Sequence, residues 1–148
     1  MQKTIKLVLD FIAATLSCFI LASLLHTQFV LHELSKLDVA ISWQTRLSAT
    51  GSDIIGLLPT YGVIILVGLL LAFLSVFWLN KLFVKPRPWL YPLGGAVAMF
   101  AILSAMQPIM DITLIAGART QLGILSQCLA GLFGGWVFMY QRRAKLKQ

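Results

Sequence analysis

The polar residues best suited to chemistry lie between residues 111 and 127. Asp111 and Arg119 bracket a short apolar link, and Thr120 and Gln127 follow Arg119. Thr120 has the residue type of a helix N-cap, and the free amides at a helix start favour anions. One interpretation is an anion or lipid-headgroup site reinforced by Arg119. The commoner arrangement is an Asp111–Arg119 salt bridge that closes the link, with Gln127 bonding across helices.

Two more ionisable residues lie within or beside an apolar stretch. An acid such as Asp10 costs roughly 2.5–3.5 kcal/mol or more at the centre of a membrane. Lys6 lies one turn earlier, so a Lys6–Asp10 pair explains the acid without a function, and a proton or cation site is the alternative. His26 belongs to the residue type that titrates near neutral pH, although a structural hydrogen bond is the simpler role.

The sequence gives little support to an enzyme. His26 and His32 are six residues apart, so their rings point to different sides of a helix and do not share a metal. The chain has no HExxH pair, no recognisable catalytic triad and no phosphate-loop lysine. Cys18 and Cys128 lie in apolar stretches outside any CxxC pair and are expected to pack as small apolar side chains. We therefore predict no catalytic residue, no metal ligand and no cofactor.

Composition restricts the class of protein. Of 148 residues, 59% are hydrophobic and 11% charged, and the mean hydropathy is +0.88. Soluble domains have roughly 45–50% apolar and about 25% charged residues. This composition excludes a soluble domain, a disordered chain and a disulfide-stapled module.

Four apolar runs are long enough to cross a hydrocarbon core of roughly 30 Å, which takes about 20 helical residues. We predict an all-α integral membrane protein with one domain over 1–148, and spanning helices over about 5–27, 60–82, 89–107 and 120–141. The segment 28–58 is predicted to form an outer amphipathic layer, because apolar residues recur at helical spacing in it. Its first part can simply extend the first helix, and Pro59 is expected to separate its second part from the next span.

Basic residues indicate the orientation. If the amino terminus is cytoplasmic, that side receives nine of the twelve basic residues. The membrane topology then accounts for the +7 charge, so we predict no nucleic-acid partner. These nine are Lys3, Lys6, Lys81, Lys85, Arg87, Arg142, Arg143, Lys145 and Lys147. Both termini are thus predicted to be cytoplasmic. Lys3 and Lys6 before an apolar run also fit a signal peptide, but no A-x-A site follows the run.

Small residues predict how two of the helices pack. The fourth run has Gly131 and Gly135 in GxxxG spacing, beside a parallel stripe of Ser126, Ala130 and Gly134. The third run has a similar face, consisting of Gly94, Ala98, Ala101 and Ala105. We expect these faces to meet in an antiparallel hairpin, and a homodimer seam is the alternative.

Two short stretches carry a resemblance. Residues 27–30 (TQFV), and residues 117–123 (GARTQLG) followed by Gln127, Ala130, Gly131 and GGW at 134–136, resemble features of small four-helix membrane proteins of Gram-negative bacteria. Those proteins are known only as uncharacterised. The resemblance implies an inner-membrane location and transfers no activity.

The expected function is that of a non-enzymatic accessory protein that acts through helix or lipid contacts. Its partners would be the lipid bilayer and a second copy or another membrane protein. The alternative is a small-solute transporter or channel built as a homo-oligomer. A third class, an enzyme acting on lipid or quinone, requires Asp111, Arg119 and His26 to converge on one pocket.

Overall fold

The computed structural model of the protein describes residues 2–35, 42–83, 87–110 and 121–146. All regular elements among these residues are helical, which confirms the predicted all-α class for this part of the chain. The elements are α1 (Gln2–Ser35), α2 (Trp43–Leu57), a π turn (Leu58–Gly62), α3 (Val63–Leu82), α4 (Leu90–Met110) and α5 (Gln121–Leu146).

Three helical stretches are long and apolar enough to cross a membrane: Thr4–His32, Trp43–Leu82 and Gln121–Arg143. At ~1.5 Å per residue, the shortest of them covers about 35 Å, which exceeds a hydrocarbon core of roughly 30 Å. Helix α4 contains a shorter apolar stretch, Leu90–Met106. Three of the four predicted spans therefore lie in helices that are long and apolar enough to cross a membrane.

The segment between the first two predicted spans is more regular than expected. Helix α1 continues to Ser35 and includes the first amphipathic stretch. The predicted break at Pro59 is wrong, because α2, the π turn and α3 form one helical segment over Trp43–Leu82. A proline ring clashes with the carbonyl four residues earlier in an α-helix. The wider π turn accommodates Pro59 without ending the helix.

Helices that pack side by side in the bundle run antiparallel, and their neighbour relations follow the order α1, α5, α4, α3. The most extensive contacts join α4 to α5 and α1 to α5, and α3 packs on α4. Helices α1 and α3 contact each other only slightly, whereas α2 packs against α1. A seam is therefore left between α1 and α3.

Helix α5 approaches two neighbours through two adjacent stripes of small residues. A Cβ atom added to Gly131 would overlap the backbone carbonyl of Gly95, and one added to Gly135 would overlap that of Tyr91, so this stripe meets α4. A Cβ atom on Gly134 would lie 2.7 Å from the Cβ atom of Cys18, so the second stripe meets α1. Ala130, in this second stripe, is fully buried.

The face of α4 that meets α5 differs from the predicted one. Gly95 faces α5, whereas a Cβ atom on Gly94 would lie 2.8 Å from Val76 of α3. Ala98 is buried, but Ala101 and Ala105 are exposed. Adjacent residues are about 100° apart around a helix, so two neighbouring helices divide the glycine pair between them.

The core and the outer surface of the bundle are both apolar. The core contains mainly aliphatic and aromatic side chains, with small residues at the helix crossings. Large apolar side chains also face outward on every helix, as Leu71, Phe100 and Leu129 illustrate at 61%, 56% and 61% exposure. A water-soluble protein of this size would not expose so much apolar surface.

Basic side chains gather at one end of the bundle. This basic end is formed by the start of α1, the end of α3, the start of α4 and the end of α5. Its described, exposed cations are Lys6, Lys81, Arg87, Arg142 and Arg143. The opposite end has Arg46 and Asp53 on α2.

Candidate functional site

The structure describes two of the five polar residues predicted as candidates. Asp111, Arg119 and Thr120 lie outside the described residues, so the predicted Asp111–Arg119 pair and the anion site stay predictions. Gln127 and His26 lie within α5 and α1, and both are buried, with 1% and 8% exposure. They belong to a buried polar cluster between α1, α2, the π turn and α5.

Gln127 connects three elements of this cluster. Its Nε2 atom donates to the carbonyl oxygen of Ala22 on α1 at 3.0 Å, and its Oε1 atom accepts from the hydroxyl of Tyr61 at 2.9 Å. In an α-helix the Ala22 carbonyl is also the acceptor for the backbone N–H of His26. The amide is thus satisfied on both sides in an apolar interior, where an unpaired polar group costs free energy. Bonding across helices, the role expected for Gln127, is what the structure shows.

Tyr61 reaches Gln127 from the π turn. It is 2% exposed and is the buried residue of that turn. A π turn changes the angular position of the residues that follow it, so the proline-containing turn sets the direction of the phenol. The sequence contains a signal for this arrangement in Pro59, which precedes Tyr61 by two residues.

Two side-chain hydrogen bonds join α1 to α2. The hydroxyl of Thr27 lies 2.7 Å from Oδ2 of Asp53 and 3.0 Å from the backbone carbonyl of Ser23. Nearby, the guanidinium of Arg46 donates to the side-chain oxygen of Gln28 at 3.1 Å. Helix α2 has no buried residue of its own. These polar contacts, together with the half-buried side chains of Ile54 and Leu57 that pack against the core, hold α2 against α1 at the end of the bundle opposite the basic end.

Three polar atoms of α1 point into the interior without a hydrogen-bond partner in the described structure. They are Oγ1 of Thr15, Oγ of Ser23 and Nδ1 of His26. The carboxylate of Asp53 acts electrostatically on His26. Among the described residues, no group of three His, Cys, Asp or Glu side chains could hold a metal ion.

Asp10 lies apart from this cluster, towards the basic end. It is 5% exposed, whereas Lys6, one turn earlier, is exposed. The Lys6–Asp10 pair stays a prediction. The buried thiol of Cys18 lies between Asp10 and the polar cluster and packs in the apolar core, as expected for a small apolar side chain.

A cleft of about 280 Å³ opens at the seam between α1 and α3, next to the basic end. Its inner wall is an aromatic cluster centred on Phe73. The ring centroid of Phe73 lies 4.7 Å from that of Phe138, 5.6 Å from that of Tyr91 and 6.1 Å from that of Phe11. Arg142 is the charged residue among those that line the cleft. We call this the α1–α3 cleft.

A second cleft of about 450 Å³ lies between α3 and α4. Gly68 of α3 has no side chain, and Ile102 of α4 packs directly against its backbone. Val67, Leu71 and Met106 also line this cleft, and all of its lining side chains are apolar. We call this the α3–α4 cleft.

Comparisons with protein-family models, with curated protein sequences and with solved structures find no match for the chain. The resemblance to small four-helix proteins of Gram-negative bacteria therefore stays an expectation.

Sequence reasoning did not identify Tyr61, Thr27 and Asp53 as members of the polar cluster, nor Arg142 as part of a cleft. Asp53 could have been identified from the sequence, because an acid next to the apolar residues 54–58 indicates a polar contact. The position of Arg142 beside Tyr91 and Phe138 depends on how α4 and α5 pack, and no spacing within one helix reveals it.

Proposed function

We propose that the protein is a non-enzymatic integral membrane protein that acts through contacts with lipid or with the helices of a membrane partner. In this proposal α1, the segment containing α3, α4 and α5 all cross the membrane, and α2 lies at the outer interface. The membrane is a bacterial inner membrane, and the basic end faces the cytoplasm.

The apolar lining of the two clefts is the observation that carries this proposal. Both clefts open outward between long helices, and their walls offer side chains that suit hydrocarbon. Meanwhile the amide of Gln127 and the hydroxyls of Tyr61 and Thr27 are engaged within the bundle. The walls that the two clefts offer to a ligand or partner are therefore largely apolar, with Arg142 as the charged residue of the α1–α3 cleft.

The basic end supports the proposed orientation. Lys6, Lys81, Arg87, Arg142 and Arg143 lie there together, and cytoplasmic loops of membrane proteins carry an excess of Lys and Arg. Trp78 and Trp89, exposed at the same end, have the residue type that is enriched at membrane interfaces.

Native mass spectrometry of the full chain, extracted in a mild detergent, tests the proposal. We expect retained lipid or a copurifying membrane protein. Leu71→Trp would fill part of the α3–α4 cleft and is expected to reduce the retained species. Leu129→Trp on α5 is the matched control, because Leu129 has the same 61% exposure and lies outside both clefts.

A chain that is recovered only as a monomer without lipid or partner would contradict the proposed function. Equal losses in the Leu71→Trp and Leu129→Trp variants would show that the α3–α4 cleft is not where the contact is made. Solute flux through reconstituted vesicles would instead support the transport alternative.

A further inference from the structure

The α1–α3 cleft combines apolar walls with a cationic opening, and this pairing matches the two parts of one lipid molecule. The inference rests on the proposed function and assigns the ligand class of one site. The cleft lies where α1 and α3 barely touch, so the helices themselves leave the space open.

The walls of the cleft suit an acyl chain. Leu7 and Val8 of α1 face Leu70 and Leu74 of α3 across the opening, and the Phe73 aromatic cluster closes the inner side. At ~30 Å³ per water-sized group, the volume accommodates about nine such groups. Hydrocarbon suits these walls because a polar group placed between them would be left without hydrogen-bond partners.

Arg142 lines the basic end of the cleft, and Lys81 lies next to the cleft, beside one of its lining rings. Arg142 follows Phe138 by one helical turn and lines the opening directly. Lys81 follows Phe77 by one turn on α3, and its Nζ atom lies 4.8 Å from the centroid of the Phe77 ring, which also lines the cleft. A guanidinium and an ammonium group beside an apolar slot are suited to a phosphate oxygen.

The charge at the opening argues for a lipid rather than an apolar helix of a partner protein as the occupant. Arg142 is the charged residue of an otherwise apolar and aromatic lining. An occupant with one apolar end and one anionic end complements both parts of the cleft, whereas an apolar helix would leave the guanidinium without a partner.

We propose that the α1–α3 cleft binds one acyl chain of an anionic phospholipid, whose phosphate is held by Arg142 and Lys81. Basic pockets between membrane helices on the cytoplasmic side commonly bind the head groups of anionic lipids. The same cations face the inner leaflet in the proposed orientation, so the ligand comes from the leaflet that contains the opening.

The test compares binding of phosphatidylglycerol and phosphatidylcholine to the full chain by native mass spectrometry in a defined detergent. We expect the wild type to prefer phosphatidylglycerol. Arg142→Gln is expected to weaken phosphatidylglycerol binding about fivefold, which corresponds to about 1 kcal/mol per cation near a lipid surface. Arg143→Gln is the matched control, because Arg143 is an adjacent, exposed arginine outside the cleft, and it should change binding less than twofold.

A second variant tests the apolar part. Leu74→Trp places a larger ring at a cleft-lining position that is 48% exposed, so it fills the cleft without entering the core. We expect it to lower phosphatidylglycerol binding at this site, while Leu129→Trp leaves that binding unchanged.

Three outcomes would overturn the inference: equal binding of the two lipids by the wild type, equal effects of Arg142→Gln and Arg143→Gln, or no effect of Leu74→Trp. In these cases the proposed function stands if the chain still retains lipid or a membrane partner elsewhere. Loss of every lipid and partner from the wild type would contradict the proposed function as well.

Discussion

Gln127 is a buried amide in an apolar helix, and its two hydrogen bonds tie α5 to α1 and to the π turn. Hydrogen bonds between membrane helices contribute about 0.6 kcal/mol on average and up to about 1.7 kcal/mol. A single bond of this kind adds little stability. Its larger effect is on register, because a shifted helix would leave the amide and the Tyr61 phenol buried without partners.

Substitutions at this pair should show coupling. Tyr61→Phe is expected to lower the free energy of unfolding by about 0.6 kcal/mol. Gln127→Leu removes both bonds and leaves the phenol unpaired, so a loss of about 1–2 kcal/mol is expected. The measurement is reversible unfolding in mixed micelles, with a double-mutant cycle.

Ser75→Ala provides the control for this cycle. The hydroxyl of Ser75 is exposed and donates to the Leu71 carbonyl of its own helix, so little change is expected. Strictly additive effects of Tyr61→Phe and Gln127→Leu would contradict the proposed coupling.

At the scale of helices, α5 acts as the hub of the bundle. Its GxxxG stripe meets α4 and its Ala130–Gly134 stripe meets α1, so one helix binds two neighbours through adjacent faces. A homodimer formed through Gly131 and Gly135 would require α4 to leave this position. Close helix approach in membranes relies on such residues because lipid gives no hydrophobic drive for helix association.

Alanine substitutions at two glycines should change stability in opposite directions. Gly131→Ala introduces a Cβ atom that overlaps the Gly95 carbonyl, so α4 and α5 must separate. Overpacking of this kind typically costs about 1–3 kcal/mol. Gly51→Ala on α2 meets nothing within 4 Å and should stabilise its helix by up to about 1 kcal/mol through higher helix propensity.

Both alanine variants can be measured by unfolding in micelles together with helicity by circular dichroism. If Gly131→Ala stabilises the protein as much as Gly51→Ala, the close packing of α4 on α5 is not present in solution.

The π turn is the element that sequence patterns describe least well. Pro59 indicates an interruption, and a helix break is the usual consequence of an internal proline. Here Leu57, Leu58 and Val63 all keep right-handed helical dihedral angles around the π turn, so the helix continues. Packing of Tyr61 against α5 and of Ile65 in the core stabilises this continuous form.

At the scale of the whole molecule, charge is distributed unevenly along the bundle. The described cations of the basic end lie opposite the polar junction of α1 with α2. This asymmetry underlies both the proposed orientation and the anionic lipid site, because the same residues would face the cytoplasmic surface.

Topology reporters test the orientation directly. A reporter fused after Gln148 is expected to be active on the cytoplasmic side, because the positive-inside tendency places the basic end there. A reporter inserted after Ser42, between α1 and α2, should be active on the opposite side and serves as the internal control. A translocated reporter after Gln148 would reverse the orientation and move the cleft to the outer leaflet.

The sequence alone predicted the all-α class and the long apolar helices that the structure shows. Apolar runs of sufficient length leave the backbone no structure but helices in lipid, so composition and run length decide these features locally. The small residues of α5 were likewise visible as contact positions, since glycine and alanine at helical spacing permit close approach.

Only the tertiary structure decided which surfaces meet. In the structure Gly95, rather than Gly94, faces α5, and the helix continues through Pro59. Gln127 is hydrogen-bonded to both Tyr61 and the carbonyl of Ala22. The structure also places Arg142 of α5 beside a cleft made largely by α1 and α3. These features depend on the rotation of one helix relative to another, which is set by packing among several helices and therefore has no signature within a single run of residues.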